Sequence, residues 1–199
     1  KVLDPNTGET SFALAQIEQP MPDIEAVSIF DLYPDPYCTS LEDCEGLFRR
    51  HVLTRKQFRE LAELPGFDGE MVRYLLKVNR KGNHTEEEHE RTRRRIAGIH
   101  DHVESSRFEV FEYWGNIDGY DLRDQGMELP EGADPSDDFS ACIWFCGSKV
   151  LKVMLNPISG YKIPYHIFPY ERSPHQFWGT GVPRMMRDSQ TTMNAATRI

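Results

Sequence analysis

The sequence predicts an α+β fold: a curved, mostly antiparallel sheet built by the second half of the chain, flanked by helices of the first half and by one C-terminal helix. Three observations carry that expectation. Capping signals followed by apolar residues at helical spacing crowd residues 40–99. Alternation runs through Phe108–Trp114, with Phe108, Val110, Glu112 and Trp114 on one side and Glu109, Phe111 and Tyr113 on the other. Two apolar runs, Phe139–Phe145 and Val150–Leu155, flank Gly147-Ser148, a strong hairpin signal. The chain therefore divides into a helix-rich half, 1–107, and a strand-rich half with a terminal helix, 108–199, within one continuous domain.

Element by element, residues 1–26 carry Asp4-Pro5, Gly8 and Pro20-Met21-Pro22, which predict loops, with one short strand at Phe12–Ile17. Val27–Leu32 predicts a buried strand, ended by Tyr33-Pro34-Asp35-Pro36 because two prolines forbid a continued ladder or helix. Ser40 opens a short helix with Asp43 as reciprocal cap and Leu41, Cys44, Leu47 and Phe48 as its apolar face. Arg49–Leu53 turns extended. Thr54 caps a second helix through Leu64, stopped by Pro65-Gly66, and Asp68 caps a third, with Phe67 placed to staple onto Val72. Thr85 with Glu88 predicts a capping box for a helix over 86–99, acidic in its first turn and basic in its middle. Residues 123–138 read as an acidic surface loop, Tyr165–Pro169 as a further extended piece, and Pro183–Arg198 as a helix with proline near its start.

Composition bounds the function. The 199 residues are 39% hydrophobic and 28% charged, the balance of a folded domain whose core needs no metal or disulfide staple. No apolar run approaches the roughly 20 residues of a membrane span, and residues 1–20 lack the pattern of a signal peptide. The chain begins at Lys1 and stops at Ile199 inside a predicted helix, the expected look of a piece of a longer protein. A net charge of −9 disfavours tight nonspecific binding of nucleic acid. Cys142 and Cys146 share one side of a strand on the order of 13 Å apart, beyond disulfide reach. With Cys38 and Cys44 they form no CxxC pair, so reduced, partly buried thiols are expected.

Clusters that imitate active sites fail on spacing. His84 and His89 are five apart, off one helix face, whereas a zinc-protease helix needs His-Glu-x-x-His. There is no G-x-S-x-G elbow. Gly179-Thr180-Gly181 precedes a helix but lacks the third glycine of a dinucleotide fingerprint and the Lys-Ser/Thr of a P-loop. Neither a catalytic residue nor a metal ligand nor a cofactor is expected. Arg91, Arg93, Arg94 and Arg95 form the only dense basic patch, the one candidate nucleic-acid contact; without interleaved aromatics a salt-bridged helix face is the favoured reading. The alternatives from other classes are a metal-dependent hydrolase or nuclease using His100, Asp101, His102 and Glu104, and a generic interaction domain using the 85–99 helix.

The C-terminal stretch is more specific. Ile163-Pro164-Tyr165-His166-Ile167-Phe168-Pro169-Tyr170 leads to Phe177-Trp178-Gly179-Thr180-Gly181-Val182-Pro183-Arg184-Met185-Met186-Arg187-Asp188-Ser189-Gln190, continuing to Asn194. A proline- and aromatic-rich extended piece, an aromatic-Gly-x-Gly turn, and an amphipathic helix with Asp-x-Gln and an Asn one turn on: this resembles the portal (head-to-tail connector) proteins of tailed bacteriophages. Asp31–Tyr37 with Ser40-Leu41-Glu42-Asp43, the Thr54–Leu64 helix, the Phe108–Trp114 strand and the Cys142–Leu155 hairpin follow in the family's order. The resemblance covers most of residues 27–199, and the charged insert 79–104 stands outside the pattern.

What the resemblance implies is a wing-like module in a structural, non-enzymatic subunit. It implies a ring of about twelve copies at one capsid vertex of the virion, assembled in the host cytoplasm, through which double-stranded DNA is packaged and ejected. The implied partners are other copies of the chain, the terminase motor, the major capsid or scaffolding protein, a head–tail adaptor and the passing DNA, with no membrane. The stem, clip and crown of such a protein would lie beyond Ile199. Gly179, Gly181, Asp188, Gln190 and Asn194 are the expected motif residues. Arg187, Gln190 and Asn194 form a polar stripe expected to face a neighbouring subunit, beside an apolar stripe of Val182, Met185/Met186, Ser189 and Met193. With only that stripe to offer, residues 1–199 alone are expected to be monomeric or weakly associated.

Overall fold

The alternation at Phe108–Trp114 extends well beyond those residues: Arg107–Asp118 forms one long strand, β5, and every other strand of the main sheet is placed by it. The computed structural model describes residues 24–99, 106–158 and 160–197, together with the backbone of residues 2–3 and 10–11. β1 (Val2–Leu3) and β2 (Thr10–Ser11) pair antiparallel as a separate ladder. The predicted strand Phe12–Ile17 lies outside the described residues.

The main sheet is curved and fully antiparallel, in the order β3 (Leu32–Pro34), β4 (Gly46–Thr54), β5, β6 (Asp138–Cys146), β7 (Lys149–Leu155). The α+β expectation holds, yet two strands come from the first half. The region expected as a buried strand at Val27–Leu32 is a 3-10 turn at Ile29–Asp31 followed by β3. Pro34 sits within β3 because this is the sheet's edge, where a missing N–H costs no ladder bond.

The expected helix at Ser40 does not form. Its cap does: Asp43 N–H donates to Ser40 Oγ at 3.3 Å and Ser40 Oγ–H to Asp43 Oδ2 at 3.0 Å. The chain then turns at Cys44 and enters β4, so Leu47 and Phe48 are strand residues on opposite faces. Thr54 and Gln57 make a reciprocal capping box that opens α1 (Arg55–Glu60), and a 3-10 turn at Leu61–Glu63 finishes it. Asp68 caps α2 (Gly69–Val78) by accepting from Glu70 N–H at 2.9 Å and Met71 N–H at 3.0 Å. The next helix, α3 (Glu88–Ile96), starts later than predicted. Glu87 rather than Thr85 is its cap residue, its N–H bonded to the Glu90 carboxylate at 2.9 Å. A short helix at the end of β5, α4 (Gly119–Asp124), was not expected; the acidic loop follows it.

Gly147 takes a φ of +60° in the two-residue connection of β6 and β7, a sign that glycine tolerates without a Cβ penalty. An irregularity at Trp144/Phe145 lets β7 carry one residue more than its partner, which turns Leu151 inward.

Register assigns the two faces. Residues paired directly across the ladder share a face, so Leu47, Arg49, His51 and Leu53 lie with Trp114, Glu112, Val110 and Phe108 on the inner face. One end of that face is closed by α1 and α2 through Phe58, Leu61, Val72, Leu75 and Leu76, with Phe58 stacked on Phe108 at 4.3 Å. The other end is closed by the segment 163–178, which packs Ile163, Tyr165, Phe177 and Trp178 against Leu47, Trp114 and Cys142. All four cysteines are buried and free.

Candidate functional site

The Pro- and aromatic-rich segment carries no strand at Tyr165–Pro169. Its one ladder contact is the bridge between Glu171 and Thr180, with Thr180 N–H donating to the Glu171 carbonyl at 2.8 Å. Gly179 is required by that bridge, since a Cβ there would run into the Glu171 carbonyl and Pro169. Gly181 is different: a Cβ would meet only Pro183 Cδ at 3.7 Å, and its backbone is extended. It serves as the residue before α5 (Val182–Met185), which leads across Met186 into α6 (Arg187–Thr197).

Every residue from 181 to 197 is exposed. The apolar stripe stands in solvent, Val182 at 40%, Met185 at 50%, Met186 at 57% and Met193 at 65% exposure. The helix therefore does not flank the sheet as expected. Gln190 and Asn194 bond each other, Nε2–H to Oδ1 at 3.2 Å, and their remaining amide groups have no partner among the described residues. Among the described residues Arg187 and Asp188 make no side-chain hydrogen bond, and their carbonyls accept from the Thr191 and Thr192 hydroxyls.

The root of this segment is held by a buried carboxylate. Glu112 accepts from Trp114 Nε1–H at 2.6 Å and from Tyr165 O–H at 3.2 Å, and its other contact is His51 Nε2 at 2.9 Å. Burial pushes the Glu112 carboxyl up, but the bonds from His51 and Trp114 outweigh it and hold the group below its usual range. Burial pushes the Tyr165 phenol up, aided by the Glu112 charge, so it remains a donor.

A second polar centre holds α3. Arg50, 3% exposed on the outer face, reaches Asp31 at 3.1 Å, Glu87 at 2.6 Å, Glu90 at 3.1 Å and Glu109 at 3.4 Å. His84 lies 3.3 Å from Glu90, its buried Nδ1 makes no hydrogen bond to a described residue and stands 3.9 Å from Glu109, and His89 stacks on Phe30 at 4.7 Å. Of the basic patch, Arg94 and Arg91 are engaged by Glu86 at 2.7 Å and 3.6 Å, whereas Arg93 and Arg95 have no ion pair among the described residues. Sequence reasoning missed Arg50. The signal available was the second of two adjacent arginines inside one strand, at a position that must point away from the core.

Sequence comparison adds the deciding observation: the model of a family described as phage SU10 portal protein matches residues 4–198. The chain belongs to this phage portal protein family. A search of curated proteins returns no match.

As a member of a portal family the chain has a structural role in the phage head–tail connector, at the capsid vertex of the virion, and portal proteins are structural rather than catalytic. Among the described residues no group of three or more His, Cys, Asp or Glu side chains could hold a metal ion. His100, Asp101, His102 and Glu104 lie outside the described residues. No described helix is long and apolar enough to cross a membrane.

Proposed function

We propose that this portal-family chain forms the wing-like part of a subunit in a closed ring of about twelve copies, through which double-stranded DNA is packaged and ejected. The ring sits between capsid and tail. Its partners are the terminase, the major capsid or scaffolding protein and a head–tail adaptor, met first in the host cytoplasm during assembly. The two halves, 1–107 and 108–199, act as one unit because a single sheet draws strands from both. Gly179 keeps the turn tight, Gly181 admits the chain to α5, and Asp188 sits in the first turn of α6 near its positive end. Arg187, Gln190 and Asn194 face the neighbouring subunit, and of the Arg91, Arg93, Arg94 and Arg95 patch the two without an ion pair among the described residues, Arg93 and Arg95, are best placed to touch DNA. No step of this role asks for a protein-borne catalytic group.

The observation that carries the reading is the family match over residues 4–198. Electron microscopy of the full-length protein tests it. Closed rings with an axial channel are expected; a full-length protein that stays strictly monomeric at all concentrations overturns the proposal.

A further inference from the structure

Two surfaces are left without partners among the described residues, and they complement each other. The first is the open part of the outer sheet face. Tyr33, Phe48, Phe111, Tyr113 and Phe145 lie side by side there, Phe48 on Tyr113 at 4.7 Å and Phe111 on Phe145 at 5.6 Å. Phe48 is 38% exposed and Tyr33 37%, and the groove they border continues along Pro34, Ile143 and Val150. Carboxylates rim it: Asp35, Glu45, Asp121 and Asp124 line the same groove, none in an ion pair with a described residue.

The second surface is the helical segment formed by α5 and α6. It exposes three methionines and a valine, with Arg184 and Arg187 beside them, and neither arginine is paired among the described residues. Methionine side chains adapt to aromatic walls through sulfur–ring contacts. Arginines flanking such a stripe match a rim of carboxylates and would also stack on exposed rings.

We infer that the aromatic, acid-rimmed groove of one copy receives the Met185–Arg187 junction of α5 and α6 of the next copy. This rests on the ring reading and gives it a specific joint. A contact between two different surfaces is heterologous, the kind that closes into a ring when the rotation allows. Two helical turns bury less than the roughly 1,000 Å² of a stable pairwise interface. Single joints are therefore weak, and the closed ring is held because every copy makes two of them.

Photo-crosslinking in the full-length protein tests the joint. With p-benzoylphenylalanine in place of Met186, intermolecular adducts are expected on residues 33–36, 45–48, 113–118 or 143–150. Arg184→Glu with Arg187→Glu, and separately Asp121→Arg with Asp124→Arg, should each reduce the adduct by about tenfold or more, through like charges brought together. Mixing the two double variants pairs the reversed helix with the reversed rim and should restore it. Rings that form while the adduct maps elsewhere overturn the joint and leave the ring reading standing. A protein that forms no oligomer of any kind takes down both. A charge-reversed rim that crosslinks as well as the wild type also overturns the joint.

Discussion

Replacing Arg50 with methionine should loosen α3 from the sheet while leaving the core intact. Arg50→Met keeps an apolar stem of similar reach and removes the guanidinium that faces Asp31, Glu87, Glu90 and Glu109 together. Removing one partner of a buried ion pair costs roughly 3–5 kcal/mol. Glu87 and Asp31 are 43% and 31% exposed, so solvent screens much of their share, whereas Glu90 at 15% and Glu109 at 22% keep theirs. That reduces the expected loss to about 2–3 kcal/mol. For a chain of this size it lowers the melting temperature by about 5–10 °C. α3 has nine residues, none buried, too short to hold itself as an isolated helix, so its order depends on this anchor. Burial pushes the Glu90 carboxyl up, but the Glu87 N–H and the charges of His84 and Arg50 outweigh it and hold it low. A depressed carboxylate stabilises above its unfolded pKa and loses that contribution as pH falls through its folded value. The gap between wild type and variant should therefore be full at neutral pH and narrow in acid. Thermal unfolding by circular dichroism at several pH values, with amide exchange on residues 88–96, measures both. A variant that melts with the wild type at neutral pH, or a gap that widens in acid, refutes the anchor.

Glu112→Ala takes away the acceptor of Trp114 Nε1–H and of the Tyr165 hydroxyl, which keeps its contact with Arg49, and should cost about 2–4 kcal/mol in urea unfolding. Its contribution is present at neutral pH and lost as pH falls through the lowered folded value, so the effect should shrink in acid. Phe58→Ala removes a fully buried ring stacked on Phe108 and should cost about 3–5 kcal/mol in equilibrium denaturation. Burial pushes the thiols up, to about 12 for Cys38 and Cys142 and about 11 for Cys146, so Ellman's reagent at mildly alkaline pH should find little reactive thiol in the native chain and all four after unfolding. Duplex DNA should bind residues 1–199 weakly. With two arginines of α3 unpaired among the described residues, the logarithm of affinity should fall with that of salt at a slope of about −2, and tight binding that survives loss of Arg93 and Arg95 would point to another surface.

The β5 strand, the β6–β7 hairpin, α1, α2 and the C-terminal helix were legible because each is announced locally, by alternation, a capping residue or a tight turn. The errors share a cause. Ser40 and Asp43 make the capping contacts of a helix start, but the apolar residues after them are claimed by a nine-residue ladder with β5, and pairing overrides local propensity. Pro34 argued against a strand only if the strand were central, and edge position is a property of topology. The two polar hubs were hidden for the same reason. Glu112 was visible as a charged residue on an apolar face, but His51 and Tyr165 approach it from 61 and 53 residues away in the chain. Gly179 and Gly181 look alike in sequence, and only the approach of Glu171 separates a sterically required glycine from one that begins a helix.

Charge shows how an acidic chain suits a DNA conduit on the proposed reading. A channel wall that bound phosphate strongly would hold the duplex at each step, because every neutralised phosphate adds a counterion-release contribution to affinity. Here the net charge is −9, and the basic patch is half neutralised from within: Glu86 engages Arg91 and Arg94, leaving Arg93 and Arg95. The buried arginine is silent toward solvent as well, since Arg50 is surrounded by four carboxylates. Arg184 and Arg187, unpaired among the described residues, stand beside exposed methionines rather than in a basic cluster. That placement suits a protein neighbour with apolar walls and acidic rims better than it suits a phosphate backbone, which offers charge but no apolar pocket for Met185 and Met186.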